Sequence, residues 1–201
     1  MGTTERRERQ KLETRRGILA AARKIAREEG WAAVTIRRVA EMIEYSPPII
    51  YEYFAGKDAI LGDLQCLGFD LLADTMRAAG EGAADPTDRI SRMGLAYWRF
   101  AHESPELYQL MHGWGSAALP MEDTLVGARK PAAAVREALE NWARLKGVPL
   151  HDPQGAVETL WALLHGLVTV GALGRLGGGP ERAERLVAQA LQDLLFAWAA
   201  K

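Results

Sequence analysis

Apolar residues recur every three or four positions along nearly the whole chain, and this spacing constrains the fold more than any other feature of the sequence. Such a period places apolar side chains on one face of an α-helix, whereas a half-buried strand would alternate them. Glycine and proline separate the periodic segments at intervals that suit helices and turns. With 201 residues, 48% of them hydrophobic, the chain is predicted to be an all-α protein with a sizeable core.

Four helices are predicted in the first part of the chain. The first runs from about Glu8 to Glu29 and stops at Gly30, a residue that commonly ends helices. Thr35 is placed to cap a second helix, and Ser46 is placed to cap a short third helix. Gly56 ends the third helix and opens the fourth, so two short helices follow one long one.

Five further helices are predicted between the later proline and glycine breaks. Their predicted ranges are about Pro86 to His102, Pro105 to Met111, Met121 to Leu145, Pro153 to Leu173 and Pro180 to Ala200. Pro131 lies inside the third of these, and it is expected to kink or split that helix because proline lacks the backbone N–H that the helix requires.

Charge is distributed unevenly along the chain, although the net charge is only -1. Nine basic residues and three acidic residues lie between residues 1 and 27. A basic surplus of this kind attracts a polyanion such as DNA without regard to sequence.

The chain is expected to be cytoplasmic and to have no membrane partner. Its single cysteine, Cys66, excludes an internal disulfide, and the charged N-terminus lacks the apolar core of a signal peptide. The longest uncharged stretch, Thr159 to Gly174, is shorter than the ~20 residues that a bilayer requires. A buried helix is the preferred interpretation of that stretch.

The second and third helices carry side chains that a purely structural bundle does not need. Two short helices joined by a turn and supported by a longer helix form the arrangement of helix-turn-helix DNA binders. Arg37 and Arg38 lie in the first turn of the second helix, where the helix dipole disfavours cations, and this indicates a nearby phosphate. Ile49, Tyr51 and Glu52 face away from the apolar seam of the third helix, which suggests a contact surface.

The segment from Thr35 to Ile60, TIRRVAEMIEYSPPIIYEYFAGKDAI, resembles the DNA-binding region of the TetR family of bacterial repressors. The shared features are the threonine cap, the Val-Ala core of the second helix, the serine before the third helix, the run of Ile50, Tyr51 and Phe54, and the following Lys-Asp-Ala-Ile. The sequence departs from the family pattern at Glu44, where glycine is usual, and at Pro47 and Pro48, where a basic residue and glycine are common.

The resemblance implies that the third helix enters the major groove of DNA while neighbouring side chains hold phosphates. Glu52 is then placed to accept a hydrogen bond from a cytosine amino group, and Ile49 and the two proline rings are placed to meet thymine methyls. The predicted DNA-binding residues are Thr35, Arg37, Arg38, Ser46, Pro47, Pro48, Ile49, Tyr51, Glu52, Tyr53 and Lys57. The alternative for Arg37, Arg38 and Glu52 is an ordinary solvated surface, and the alternative for Tyr53 is a place in the hydrophobic core.

Two domains are predicted, a helix-turn-helix DNA-binding domain at residues 1–56 and a larger α-helical ligand-binding and dimerisation domain at residues 57–201. Trp161, His165 and Gly166 resemble the Trp-His-Gly signature of one class of TetR-family C-terminal domain, and the segment LMHGWG adds to that resemblance. Aromatic residues with a few polar groups are the usual lining of a small-molecule site, although the same residues also make ordinary cores. The predicted ligand-binding residues are Tyr97, Trp98, Tyr108, Met111, Trp114, Trp142, Trp161 and His165.

The last two predicted helices carry more apolar surface than one small domain buries, so they favour a homodimer formed through these helices. A two-fold dimer reads a roughly palindromic site. The expected partners are therefore double-stranded DNA, a second copy of the chain and a small apolar or aromatic effector that releases the DNA.

Catalysis has little support in the sequence. The four histidines lack metal-binding spacing, Cys66 has no base nearby in sequence, and no glycine-rich phosphate loop follows a strand, so no metal, cofactor or catalytic residue is predicted. The remaining alternative is an α-helical dimeric interaction protein that has lost specific DNA binding. The absence of lysine and arginine from the third helix before Lys57 is its best argument.

Overall fold

The computed structural model of the protein describes residues 3–113 and 121–200, with side chains from Glu5 to Gly113 and from Val126 to Ala200. These residues form helices and contain no strand, so the all-α prediction is confirmed. The elements are α1 Thr3–Glu29, a 3₁₀ turn Trp31–Ala33, α2 Ile36–Met42, α3 Pro47–Tyr51, α4 Lys57–Gly80, α5 Pro86–Glu103, α6 Pro105–Met111, α7 Met121–Lys146, α8 Pro153–Ala172 and α9 Gly179–Ala199.

Most helix boundaries fall within one or two residues of the predicted ones, because proline and glycine mark them. The start of α1 is the main exception, since the helix begins at Thr3 rather than at about Glu8. Its first residues include no apolar stripe, so periodicity gives no signal there. Glutamate and arginine are nevertheless good helix formers, and they extend the helix without burial.

Helix α7 is continuous through Pro131, so the predicted split does not occur. Proline removes one backbone hydrogen bond from a helix interior. Pro131 is buried, and it lines a small apolar cavity with Met76 and Val135. These apolar contacts offset the lost hydrogen bond.

The described chain divides into two compact units. The first contains α1, α2, α3, the part of α4 up to Gly68, and α6. The second contains the part of α4 from Phe69, α5, α7 from Ala128, α8 and α9. Helix α6 therefore belongs to the first unit, although it lies far from α1 to α3 in sequence.

The first unit is organised around apolar side chains that its helices contribute at helical spacing. Ile18 and Ile25 come from α1, Val39 comes from α2, and all three are fully buried. Helix α3 contributes Ile50, and Phe54 follows it. Because one buried side chain of α3 itself anchors the helix, its other residues are available at the surface.

The turn between α2 and α3 contains a strained residue. Glu44 has a φ of 60°, a left-handed conformation that is unfavourable for any residue with a Cβ. The next residue closes the turn, since the Tyr45 amide donates to the Ala40 carbonyl at 2.9 Å. Glu44 is the position at which the TetR-family pattern usually has glycine, and the backbone conformation explains that preference.

Replacing Glu44 with glycine is expected to stabilise the protein by about 0.5–1 kcal/mol, because glycine adopts a positive φ without strain but loses more entropy on folding. Urea denaturation of the wild type and of Glu44→Gly measures the difference. Glu41→Gly, placed within α2, is the control, and it should destabilise the protein by about 1 kcal/mol. Equal destabilisation by both substitutions would contradict the strain at residue 44.

The second unit is built on close contacts between α5, α8 and α9. Helix α5 buries a broad apolar face that includes Met93 and Tyr97. Gly94 of α5 allows α9 to lie close to α5, because a Cβ at this position would clash with Leu191 Cδ1. This close packing fixes α9 against α5 and determines which of its side chains face outward.

Candidate nucleic-acid interface

Helix α2 begins with the predicted threonine cap. Thr35 has an extended backbone, and its Oγ1 accepts a hydrogen bond from the Arg38 backbone N–H at 3.1 Å. This bond satisfies one of the N–H groups left open at the start of a helix. Thr35 is exposed, so its hydroxyl lies at the surface next to the first turn of α2.

Ser46 occupies the residue before α3, but its side chain makes no capping hydrogen bond, which corrects the prediction. A capping side chain accepts from the second or third backbone N–H of its helix. Pro48 is the second residue and has no N–H, and the Ile49 N–H donates instead to the Ser46 carbonyl at 3.0 Å. The Ser46 hydroxyl is therefore exposed without a capping function.

Helix α3 directs most of its length outward. Pro47 and Pro48, its first two residues, are exposed, and Tyr51 is 58% exposed. Glu52 follows and is also exposed, whereas Ile49 is half-buried.

Two tyrosines flank α3. Tyr53 is half-buried and packs against the core of the first unit. Tyr45 is 43% exposed, just before the helix. Tyr45 was not among the predicted site residues, because an aromatic residue in a turn carries no periodic signal.

Both arginines of the first turn of α2 have carboxylate partners. Arg37, whose side chain is 85% exposed, pairs with Glu41 at 2.9 Å, and Arg38 pairs with Glu29 at 2.8 Å. The hydrogen bond that Arg38 donates to the Glu29 carboxylate raises the pKa of Arg38. Exposed ion pairs of this kind contribute little stability, so a phosphate can replace the carboxylates at small cost.

Lys57 begins α4, and its ammonium donates to the Trp31 carbonyl at 3.2 Å. This bond connects the start of α4 to the 3₁₀ turn after α1. An ammonium has three N–H donors, so two remain for other acceptors. Lys57 thus has a structural contact in addition to its predicted phosphate contact.

Arg15 of α1 contacts the chain immediately after α3, and it was missing from the predicted site. Its Nη1 donates to the Tyr53 carbonyl at 2.8 Å, and its Nη2 pairs with Asp63 of α4. The guanidinium also lies 4.2 Å from the centre of the Phe54 ring. One side chain of α1 therefore fixes the end of α3 against α4, a role that the basic run in the sequence conceals.

The predicted ligand-binding residues do not form one cluster. Tyr97 and Trp161 meet in an edge-to-face contact with ring centres 6.5 Å apart. Together they line an apolar cavity of about 10 Å³, which holds at most one water molecule. The remaining lining residues are Met76, Pro131, Val135, Val157, Leu160 and Leu164.

The other described candidates lie elsewhere. Trp98 stacks on His102 and lines an open groove of about 430 Å³ between α5 and the start of α9. Trp142 is buried and donates from Nε1 to the Thr87 hydroxyl at 3.2 Å. Tyr108 and Met111 are buried in the first unit, and Trp114 lies outside the described residues.

His165 is half-buried in α8, and this burial lowers its pKa below the ordinary value of 6.5. The unfolded chain therefore binds the proton more tightly than the folded chain does. The stabilising contribution of the neutral ring is present above about pH 6.5 and is lost as the pH falls below it.

Acidification from about pH 8 to about pH 5.5 is accordingly expected to destabilise the wild type more than His165→Gln, which has no ionisable ring to protonate. Chemical denaturation at the two pH values measures this difference. His151→Gln, at an exposed histidine before α8, is the matched control and should behave as the wild type does. Equal acid sensitivity in all three proteins would contradict the predicted contribution of His165.

Two family profiles match the chain over the parts described above. The profile described as bacterial regulatory proteins, tetR family, matches residues 18–64, which include α2, α3 and the start of α4. The profile described as tetracyclin repressor-like, C-terminal domain, matches residues 90–194. Together they include most of both compact units.

Known proteins agree with these matches. The chain is 26% identical over 160 residues to the HTH-type transcriptional regulator YobS of Bacillus subtilis (strain 168), covering 78% of each chain. A protein from Rhodococcus sp. RHA1 has the same fold with a TM-score of 0.81 at 23% identity, over 92% of this chain and 95% of that one.

The TetR family transcriptional regulator PfmR from Thermus thermophilus superposes with a TM-score of 0.65 at 24% identity, over 89% of this chain and 96% of that one. At these identities the two structural likenesses establish the fold, while the C-terminal profile alone covers more than half of the sequence. The chain belongs to the TetR family of helix-turn-helix DNA-binding transcriptional regulators.

Proposed function

We propose that the protein is a repressor that binds a roughly palindromic DNA site as a homodimer and leaves it when a small apolar ligand binds. The observation that supports this most is the outward surface of α3, whose exposed Pro47, Pro48, Tyr51 and Glu52 have no role in the core. In this proposal residues 1–56 bind DNA, and residues 57–201 bind the ligand and the second copy. The protein acts in the cytoplasm and catalyses no reaction.

Dimerisation is supported by the outward face of α8. Only 28% of its most apolar 18-residue stretch is buried within the chain. By length and composition α8 is the one helix of the described chain that passes as a membrane span, but apolar helices of soluble proteins pass the same test. Its exposed face has helical spacing and includes Thr159, Ala162, Gly166 and Val170, with Leu173 at the C-terminal end, and the one charged side chain of α8, Glu158, lies at the N-terminal edge of this face.

A second exposed apolar group, Phe196 of α9, is 77% exposed. A second copy of the chain would cover both helix faces, as a self-complementary two-fold interface requires. Light scattering should therefore give twice the mass of one chain for the wild type and one chain mass for Val170→Glu combined with Phe196→Glu. Gln109→Glu, at an exposed residue of α6, is the control, and a wild-type monomer at micromolar concentration would reject the dimer.

The ligand site is proposed at the apolar cavity beside Tyr97 and Trp161. Its lining side chains are aliphatic and aromatic and carry no charge, so it suits an uncharged apolar or aromatic compound. Ligand sites usually enclose a few hundred Å³, so flexible side chains such as Met76 must move as the ligand enters. In the same proposal Trp161, His165 and Gly166 are the signature of a C-terminal domain of the Trp-His-Gly class.

A thermal-shift screen of uncharged apolar compounds tests this site. A ligand at one hundred times its dissociation constant adds about 2.7 kcal/mol, which raises the melting temperature by several degrees. Val157→Phe should remove the shift by filling the cavity, whereas Val187→Phe, at a residue that is also buried but lies outside the cavity, should retain it. A shift that survives Val157→Phe places the ligand elsewhere.

Repression is tested with a reporter gene whose promoter overlaps the DNA that the protein binds. Expression should fall when the protein is present and recover when a compound from the screen is added. Higher expression with the protein present would indicate an activator. No change in expression, together with no DNA binding, would favour the alternative of a dimeric interaction protein without an operator.

A further inference from the structure

Helix α3 lacks the side chains that most often identify bases in the major groove. Between Glu44 and Gly56 the sequence contains no arginine, lysine, asparagine, glutamine or histidine. Arginine or lysine to guanine is the commonest specific contact, and asparagine or glutamine is the usual partner of adenine. The only side-chain donors in this segment are the hydroxyls of serine and tyrosine.

The basic side chains around α3 are not placed to contact base edges. Arg15 is bonded to the Tyr53 carbonyl and to Asp63 behind the helix, and Lys57 donates to the Trp31 carbonyl. Arg37 and Arg38 lie on α2 and pair with glutamates of α2 and α1. These four cations are placed to stabilise the unit or to meet phosphates, and none belongs to α3.

What α3 presents instead is apolar. The N-terminal residues of a recognition helix are the ones that contact base edges, and here they are the exposed rings of Pro47 and Pro48. The exposed Tyr51 ring lies one turn further along, and Glu52 follows as the only charged group. In the major groove, the one apolar feature of a base pair is the thymine C5-methyl group.

We infer that this protein identifies its operator through thymine methyl groups, which contact Pro47, Pro48 and Tyr51, rather than through hydrogen bonds to guanine. Glu52 adds one hydrogen bond from a base amino group, with cytosine N4 as its preferred donor. The inference rests on the proposed entry of α3 into the major groove. It specifies half-sites in which A·T pairs face the start of α3.

The test begins with in vitro selection of bound duplexes from a random-sequence library. The selected duplex is then synthesised in three forms, with thymine, with deoxyuridine in place of thymine, and with 7-deazaguanine in place of guanine. Deoxyuridine lacks only the methyl group, and 7-deazaguanine lacks the N7 acceptor that arginine and lysine use. Fluorescence anisotropy at fixed salt gives the affinity of the wild-type protein for each form.

Deoxyuridine is expected to weaken binding about fourfold for each contacted methyl group, the equivalent of about 0.8 kcal/mol, and 7-deazaguanine is expected to change nothing. Pro48→Ala and Tyr51→Ala should each bind thymine DNA more weakly and lose part of the difference between thymine and deoxyuridine. Gln109→Ala, at an exposed residue of α6, should retain the whole difference.

Two other results would overturn different parts of the proposal. Tight binding that is indifferent to deoxyuridine but sensitive to 7-deazaguanine would overturn the methyl readout and leave the repressor proposal intact. Failure to select any duplex from the library would overturn both.

Discussion

Replacing Arg23 with methionine is expected to lower the free energy of unfolding by about 3 kcal/mol, which corresponds to a melting temperature about 10 °C lower for a chain of this size. Arg23 of α1 donates from Nε to Glu106 Oε1 at 2.7 Å and from Nη2 to the Ser104 hydroxyl at 3.0 Å. Glu106 of α6 is 3% exposed, so the substitution would leave a buried carboxylate without its cation.

The same glutamate is already incompletely bonded. Its Oε2 atom is buried and has no hydrogen-bond partner within the described chain. The ion pair with Arg23 therefore supplies most of the energy that offsets the burial of this charge. The Glu106 backbone carbonyl meanwhile accepts from Trp31 Nε1 at 3.0 Å. Side chain and backbone of one residue thus attach α6 to α1 and to the turn that follows it.

Two further variants separate the buried charge from a general loss of charge on α1. Arg27→Met removes an exposed arginine one turn later, and it should change stability by less than about 0.5 kcal/mol. Arg23→Met combined with Glu106→Leu removes both charges and should recover most of the loss, because an apolar pair can replace a buried ion pair. Thermal and urea denaturation measure all three, and wild-type stability of Arg23→Met would contradict the account.

Replacing Arg15 with alanine is expected to weaken specific DNA binding about tenfold and to cost about 1–2 kcal/mol of stability. Arg15 joins the Tyr53 carbonyl, the Phe54 ring and Asp63, so its loss frees the chain segment that ends α3. Because Arg15 donates to two partners within the protein and its guanidinium lies over the Phe54 ring, the loss of affinity should come from misplacement of α3 rather than from a lost phosphate contact.

The adjacent Arg16 is an exposed residue and provides a matched control, since Arg16→Ala removes the same charge from the same helix. The Arg16→Ala variant should have the same melting temperature as the wild type. Arg15→Lys keeps the charge but not the two-pronged guanidinium geometry, so it should resemble Arg15→Ala.

The salt dependence of binding separates the two roles further. A lost phosphate contact reduces the slope of log affinity against log salt by about one, whereas a misplaced helix leaves that slope unchanged. Full recovery of affinity in Arg15→Lys, or a reduced slope in Arg15→Ala, would show that Arg15 acts through its charge alone.

Local features of the sequence were sufficient to predict most of the helices. Proline marks the first residue of α3, α5, α6 and α8, and apolar periodicity identifies the face that each helix buries. The threonine cap of α2 was predicted for the same reason, since capping depends only on residues within one turn. Ser46 makes no such cap, because Pro48 has no N–H and the Ile49 N–H donates to the Ser46 backbone carbonyl instead.

Contacts between distant residues were not predictable in this way. Arg23 and Glu106 are 83 positions apart, and periodicity gives no information on such a pairing. In the sequence, Arg15 and Arg23 are members of a basic run that indicates DNA attraction. In the structure both bind acidic partners, so the surplus charge of α1 available to DNA is smaller than the sequence suggests.

The structure keeps the predicted DNA-binding residues together and separates the predicted ligand-binding residues, for a related reason. The DNA-binding residues come from one continuous segment, and the fold necessarily keeps them together around α2 and α3. Residue type alone predicts the ligand-binding residues, of which the described ones come from four helices, and only Tyr97 and Trp161 among these share the apolar cavity. Aromatic residues are equally common in cores and in ligand sites, so their type alone does not identify a pocket.

The central claim is that the protein binds a specific DNA sequence through α3, and fluorescence anisotropy tests it most directly. Labelled duplex from upstream of the protein's own gene should bind about a thousandfold more tightly than a shuffled duplex of the same composition. The affinity should also fall steeply as salt rises. Equal binding to the two duplexes, or no binding to either at concentrations up to about micromolar, would contradict the claim.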